Sequence, residues 1–169
     1  MEELLKNKTY QSLRTIPAAI AVISLRNVFM IKMEFERSLL FSAFLPVLGA
    51  NYTVYVSRGE NQNLAIGAGA MLILLFYICY VFSRKNWKWM MVAFLRYLVD
   101  TWFLIYFVEV RGLGYSTWAF DIITHVGVLA LLLWAAILGQ NAVKKKPEVQ
   151  DEQPADKDLE NKMDYIIDD

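Results

Sequence analysis

Read as alternating apolar and polar positions, the chain divides into four long apolar runs with short polar breaks, a mixed segment before them and an acidic one after. The runs cover 38–56, 64–82, 90–110 and 118–138. Each is close to the ~20 residues that a helix needs to cross a hydrocarbon layer about 30 Å thick. The pattern therefore predicts four membrane-spanning helices.

Individual residues refine these spans. Pro46 falls inside the first, where a membrane helix tolerates it as a kink. Asn51, Tyr52 and Tyr55 mark the interfacial end of that span, where amphipathic aromatics collect. In the second span Ala65, Gly67, Gly69 and Ala70 allow another helix to approach closely, which makes them the candidate helix-packing residues. The third carries Arg96 and Asp100, and the fourth carries Asp121 and His125, each pair four residues apart. That spacing puts both members of a pair on one helical face.

The flanks read differently. Residues 1–37 open polar and charged, then turn apolar from Ile16 to Ile31 with Arg26 inside. That apolar run falls short of the ~20 residues of a comfortable span, so an interfacial helix is expected there, with a fifth span or a disordered extension as the alternatives. The charged start is mixed in sign, unlike a signal peptide. Met30 and Met33 are candidate starts of a shorter protein. Residues 140–169, with two prolines and a run of acids, are expected to form a disordered cytoplasmic tail. The expected fold is thus an all-α membrane protein: a four-transmembrane-helix bundle over 38–139, an N-terminal interfacial segment over 1–37, and the tail.

Charge orients the bundle. The chain is formally neutral, but residues 1–143 hold twelve basic and eight acidic residues, whereas 144–169 hold five and nine. Basic residues gather before the first span, between spans two and three (Arg84, Lys85, Lys88) and after span four (Lys144, Lys145, Lys146). The other two loops hold only Arg58 and Arg111. The positive-inside rule then puts both termini in the cytoplasm. A bacterial inner (plasma) membrane is the default expectation for such a chain. The same basic residues are candidates for binding anionic lipid headgroups.

Candidate chemistry centres on the intramembrane charges. A charge inside hydrocarbon costs several kcal/mol, so Arg96 and Asp100 are expected to face protein or water. Spans three and four are joined by a short loop, which makes them antiparallel neighbours. Asp100 and His125 then fall at similar depths, and a polar network of Arg96, Asp100, His125 and Asp121 is expected. Such a network relays protons, binds a charged solute, or neutralises itself and locks helix register.

Other chemistries find little support. One histidine and one cysteine (Cys79) fall short of a zinc site or a bis-histidine haem, so no metal and no cofactor is expected. Thr124 adjoins His125, but neighbouring helical positions point about 100° apart, so no catalytic residue is assigned. No phosphate loop, dinucleotide fingerprint or metalloprotease helix appears, and nucleic acid is not an expected partner. Asn7 and Asn51 each open an N-x-T pattern, one expected in the cytoplasm and one inside a span.

Three functions remain. The leading one is a small, non-enzymatic membrane bundle acting by assembly with itself or a membrane partner. The alternative is an oligomeric proton or ion transporter or pore with a polar path along helices three and four. The third is a membrane enzyme using His125 and Asp121 on a lipid substrate. In the tail, Leu159, Met163, Ile166 and Ile167 share one helical face, which suits docking on a cytoplasmic partner.

Overall fold

The computed structural model describes residues 7–33, 42–51, 62–112 and 115–144. Among these residues there are six helices and no strand. They are α1 (Lys8–Leu13), α2 (Ile16–Lys32), α3 (Phe44–Asn51), α4 (Gln62–Ser83), α5 (Lys88–Arg111) and α6 (Tyr115–Lys144). Three stretches are long and apolar enough to cross a membrane: Lys8–Ile31, Lys88–Arg111 and Trp118–Lys144. Within α4, Gly67–Ser83 is a shorter apolar helix.

Local chemistry sets some of the ends. Asn7 caps α1 by accepting the Tyr10 N–H at 3.1 Å, which satisfies a donor of the first turn. Between α1 and α2 lies only the turn at Arg14–Thr15. Pro17 sits at the second position of α2, where a missing N–H costs nothing. Gly112 ends α5 in the left-handed conformation (φ 59°) and bonds back to Glu109, a backbone shape that glycine adopts without strain.

α5 and α6 lie along each other, α2 packs on α3 and α4, and α1 touches α6. One end of the bundle gathers three distant segments. The Tyr10 hydroxyl donates to the Ser83 carbonyl at 2.8 Å, and Gly139 of α6 packs against Trp87 and Tyr10. The main core behind that end includes Ile20, Phe76, Cys79, Met90, Ala93, Leu132 and Ala135. A smaller cluster of Phe44, Leu104 and Val108, flanked by Leu48, Phe107, Trp118 and Ile122, joins α3 to α5 and α6.

Large apolar side chains are exposed around an apolar core that also holds a few polar groups. Val22, Leu25, Phe29, Met71, Leu74, Leu98, Trp102, Phe120, Ile123 and Trp134 are exposed, while Ser24, Asn27, Asp100, Thr101, Thr124 and His125 are buried. So many exposed large apolar side chains suit hydrocarbon rather than water.

The structure differs from the sequence reading in three places. The helix expected over 38–56 begins only at Phe44, after a bend at Ser42; residues 38–41 and 52–56 lie outside the described residues. The break follows from hydrogen bonding, because side chains from other helices take the first N–H groups of α3. The N-terminal segment, expected in the interface from a run of only 16–31, forms α1 and α2. These nearly join into a stretch long and apolar enough to cross a membrane, and they pack on α3, α4 and α6. Finally, α6 runs on to Lys144 through Gly139, Gln140 and Asn141, since loss of hydropathy does not by itself end a helix. The remainder of the expected tail is outside the described residues.

Candidate functional site

Asp100 sits twelve residues past Lys88, about 18 Å along α5 at 1.5 Å per residue, and is wholly buried. Its carboxylate caps α3. Oδ2 accepts the Phe44 N–H at 2.5 Å and Oδ1 accepts the Leu45 N–H at 2.9 Å. Just before them, the Ala43 N–H donates to the Ser24 Oγ of α2 at 2.7 Å. The next residue, Pro46, has no N–H at all. The opening donors of α3, which no intrahelical carbonyl can satisfy, are therefore answered by Ser24 and Asp100.

These bonds fix where α3 starts. Ser24 lies in the middle of α2, and Met33 lies nine residues further, about 13 Å along the axis. By Ala43 the chain is back beside Ser24. Gly69 of α4 then receives Pro46 at ordinary van der Waals distance, 3.7 Å from where a Cβ would stand.

Two more ionisable groups flank Asp100. Arg96 Nη1 is 3.6 Å from Oδ1, one turn back on α5, with its side chain about nine-tenths buried. That distance is an ion pair but is beyond hydrogen-bond length. His125 Nε2 is 3.7 Å from Oδ2. The Tyr97 ring stacks on the His125 imidazole with centroids 5.1 Å apart, and Arg96 Cζ lies 5.4 Å over the Phe76 ring. Arg96 and Asp100 of α5 and His125 of α6 thus lie side by side.

Asp121 enters differently from the expectation. It contributes its backbone carbonyl, 2.9 Å from His125 Nδ1, and its side chain is half-buried. A carbonyl only accepts, so this bond requires the proton on Nδ1. In the neutral ring Nε2 would then turn a lone pair toward the Asp100 carboxylate. A proton on Nε2, giving imidazolium, makes that approach attractive instead.

The other candidates are placed as follows. Gly67 and Ala70 are exposed, Gly69 is buried, and the side chain of Ala65 is not among those described. Arg84, Lys85, Lys88 and Lys144 are exposed, near the end where Tyr10 meets Ser83. Lys145, Lys146 and the four tail residues Leu159, Met163, Ile166 and Ile167 lie outside the described residues. Cys79 is buried and unpaired. At the opposite end, Tyr115 donates its hydroxyl to the Glu109 carboxylate, and that bond holds the phenol above its ordinary pKa.

The sequence reading missed Ser24, Tyr97 and the α3 amides. Ser24 gave a weak signal as a polar residue inside the apolar 16–31 run. Tyr97 gave none beyond its place next to Arg96.

No protein-family model, curated protein or solved structure matches this chain.

Proposed function

We propose that the chain is a multi-pass integral membrane protein that moves a proton or a small ion by way of the polar centre on α5 and α6. The carrying observation is the placement of Asp100, wholly buried halfway along an apolar helix and flanked by Arg96 and His125. Ionisable groups are kept inside membrane helices where they serve ion or proton pathways. The start of α3 at that depth adds support, since broken helices bring backbone groups to the midplane sites of transporters.

The topology in this reading places both termini on the cytoplasmic side. Lys8–Ile31, α4, α5 and α6 cross, and α3 occupies one half of the thickness without crossing. Supporting it, the start of α1, the basic turn at Arg84–Lys88 and the last turns of α6 share one end of the bundle, as the positive-inside rule asks.

The test is flux. The full chain is reconstituted in liposomes, and proton and ion movement is compared for wild type, His125→Gln and Arg96→Lys. Flux that falls at least about tenfold in both variants, with helicity retained, upholds the reading. Flux unaffected by either variant overturns it.

A second reading keeps the protein non-enzymatic and acting by assembly with itself or a membrane partner. It is favoured by the fact that both oxygens of Asp100 are already spent on Phe44 and Leu45, which is how a purely structural fastener would look. This reading expects no flux in any sample and a change of oligomer size in Asp100→Asn.

A further inference from the structure

Arg96 is the member of the polar centre whose chemistry its neighbours leave unanswered. Its guanidinium is always charged and carries five N–H donors. The side chain is about nine-tenths buried, and Nε, Nη1 and Nη2 all lack a hydrogen-bond partner. Asp100 does not supply one, because Nη1 stands 3.6 Å from Oδ1 and both carboxylate oxygens already receive amides of α3.

Two further buried polar atoms of the centre share this condition, the Tyr97 hydroxyl and His125 Nε2. The three side chains are neighbours. Arg96 and Tyr97 both border the Phe76 ring, at 5.4 and 6.1 Å from its centroid, and Tyr97 stacks on His125. Buried donors in folded proteins are nearly always matched by acceptors. Here the Arg96 guanidinium and the Tyr97 hydroxyl find none.

Charge points the same way. The first turn of α3 brings about half a positive charge to the centre, and Arg96 brings a full one. Asp100 is the carboxylate whose oxygens reach them, and Asp121 lies half-buried one turn before His125. A cation entering here would meet the unpartnered donors of Arg96 and Tyr97 rather than acceptors. A small anion would supply the missing acceptor.

We infer that the polar centre binds a small monovalent anion, a halide or a short carboxylate, held by the Arg96 guanidinium and the Tyr97 hydroxyl. This rests on the reading of the centre as a site for a charged solute, and it gives the sign of that solute. A lipid headgroup is not the source, because Arg96 and Tyr97 lie about 12–14 Å along α5 from its Lys88 end.

The test uses the full chain in detergent micelles, with chloride followed by chloride-35 line broadening and formate by calorimetry, and bulky gluconate as the control. Wild type is expected to show saturable chloride binding that gluconate does not displace. Tyr97→Phe, which removes a single donor, weakens it about tenfold, and Arg96→Met abolishes it. Helicity by circular dichroism checks folding, and if Arg96→Met does not fold, Tyr97→Phe carries the test alone.

Saturable binding absent from wild type up to about 0.1 M, for both chloride and formate, means that water fills the site and overturns the inference. Binding that survives in every folded variant marks an adventitious ion only and overturns it as well. Flux in liposomes separates the two claims. Chloride binding without flux upholds the anion site while removing the transport reading; flux without chloride or formate binding removes the anion site and leaves transport standing.

Discussion

The Asp100 carboxylate takes the Phe44 N–H at 2.5 Å, so that a side chain on α5 caps a helix that begins fifty-six residues earlier in the chain. Helix caps are ordinarily local, with the Ser, Asp or Asn adjacent in sequence. Here Ala43 stands where a local cap would be, and the acceptor arrives through tertiary packing. Start of helix and position of bundle are therefore one event.

Removing that acceptor should be costly. Asp100→Ala strands two backbone amides and leaves Arg96 buried without a counter-charge, for a loss of about 3–5 kcal/mol. Asp100→Asn keeps one acceptor oxygen and should lose about 1–3 kcal/mol. Unfolding of the full chain in detergent micelles measures both, and an Asp100→Ala variant as stable as wild type would remove the cap from the account.

Ser24 makes the neighbouring bond, and Ser24→Ala leaves the Ala43 N–H without its 2.7 Å acceptor. The expected loss is about 1–3 kcal/mol in the same assay. It should be less than additive with Asp100→Ala, because both hold the start of α3. Strict additivity of the two would mean that they act separately.

Two glycines of α6 should behave oppositely. At Gly139 a Cβ would meet Trp87 Cβ at 2.5 Å and Tyr10 Cε2 at 2.9 Å, so Gly139→Ala should destabilise by about 1–3 kcal/mol through overpacking. At Gly127 nothing lies within 4 Å, and Gly127→Ala should stabilise by about 0.5–1 kcal/mol through helix propensity. Equal effects at the two sites would mean that the end of α6 is not packed as described.

Topology is open to labelling in sealed vesicles with a membrane-impermeant maleimide. Cys79 is fully buried and should not react. In a Cys79→Ala background, Lys85→Cys and Asn141→Cys should label from one side and Arg111→Cys from the other. Labelling of Lys85→Cys and Asn141→Cys from opposite sides would contradict the proposed arrangement of termini.

What the sequence disclosed, and what it concealed, follows from the kind of signal each feature leaves. Apolar length alone located three helices: 64–82, 90–110 and 118–138 fall within Gln62–Ser83, Lys88–Arg111 and Tyr115–Lys144. Spacing of charges brought Arg96, Asp100 and His125 together. The break before α3 was hidden because hydropathy carries no information about which backbone donors find acceptors. Pro46 was the available clue. It is the third residue of α3, a position where proline's missing N–H is harmless, yet within an apolar run it resembles a kink. Asp121 was misplaced for a similar reason, since its contribution to the centre comes from a backbone carbonyl that every residue possesses.

The Tyr10–Ser83 hydrogen bond also has an implication for the order in which the molecule comes together. Synthesis delivers Tyr10 first, its carbonyl partner seventy-three residues later, and Gly139, which packs on the same ring, later still. Contacts so far apart in the chain form only after the intervening loops have closed. The end of the bundle that carries the basic turn is thus the last to be sealed. A ribosome stalled before α6 would leave the first helix in place with its tyrosine already bonded but one side of the ring uncovered, a half-finished edge for quality-control machinery to find.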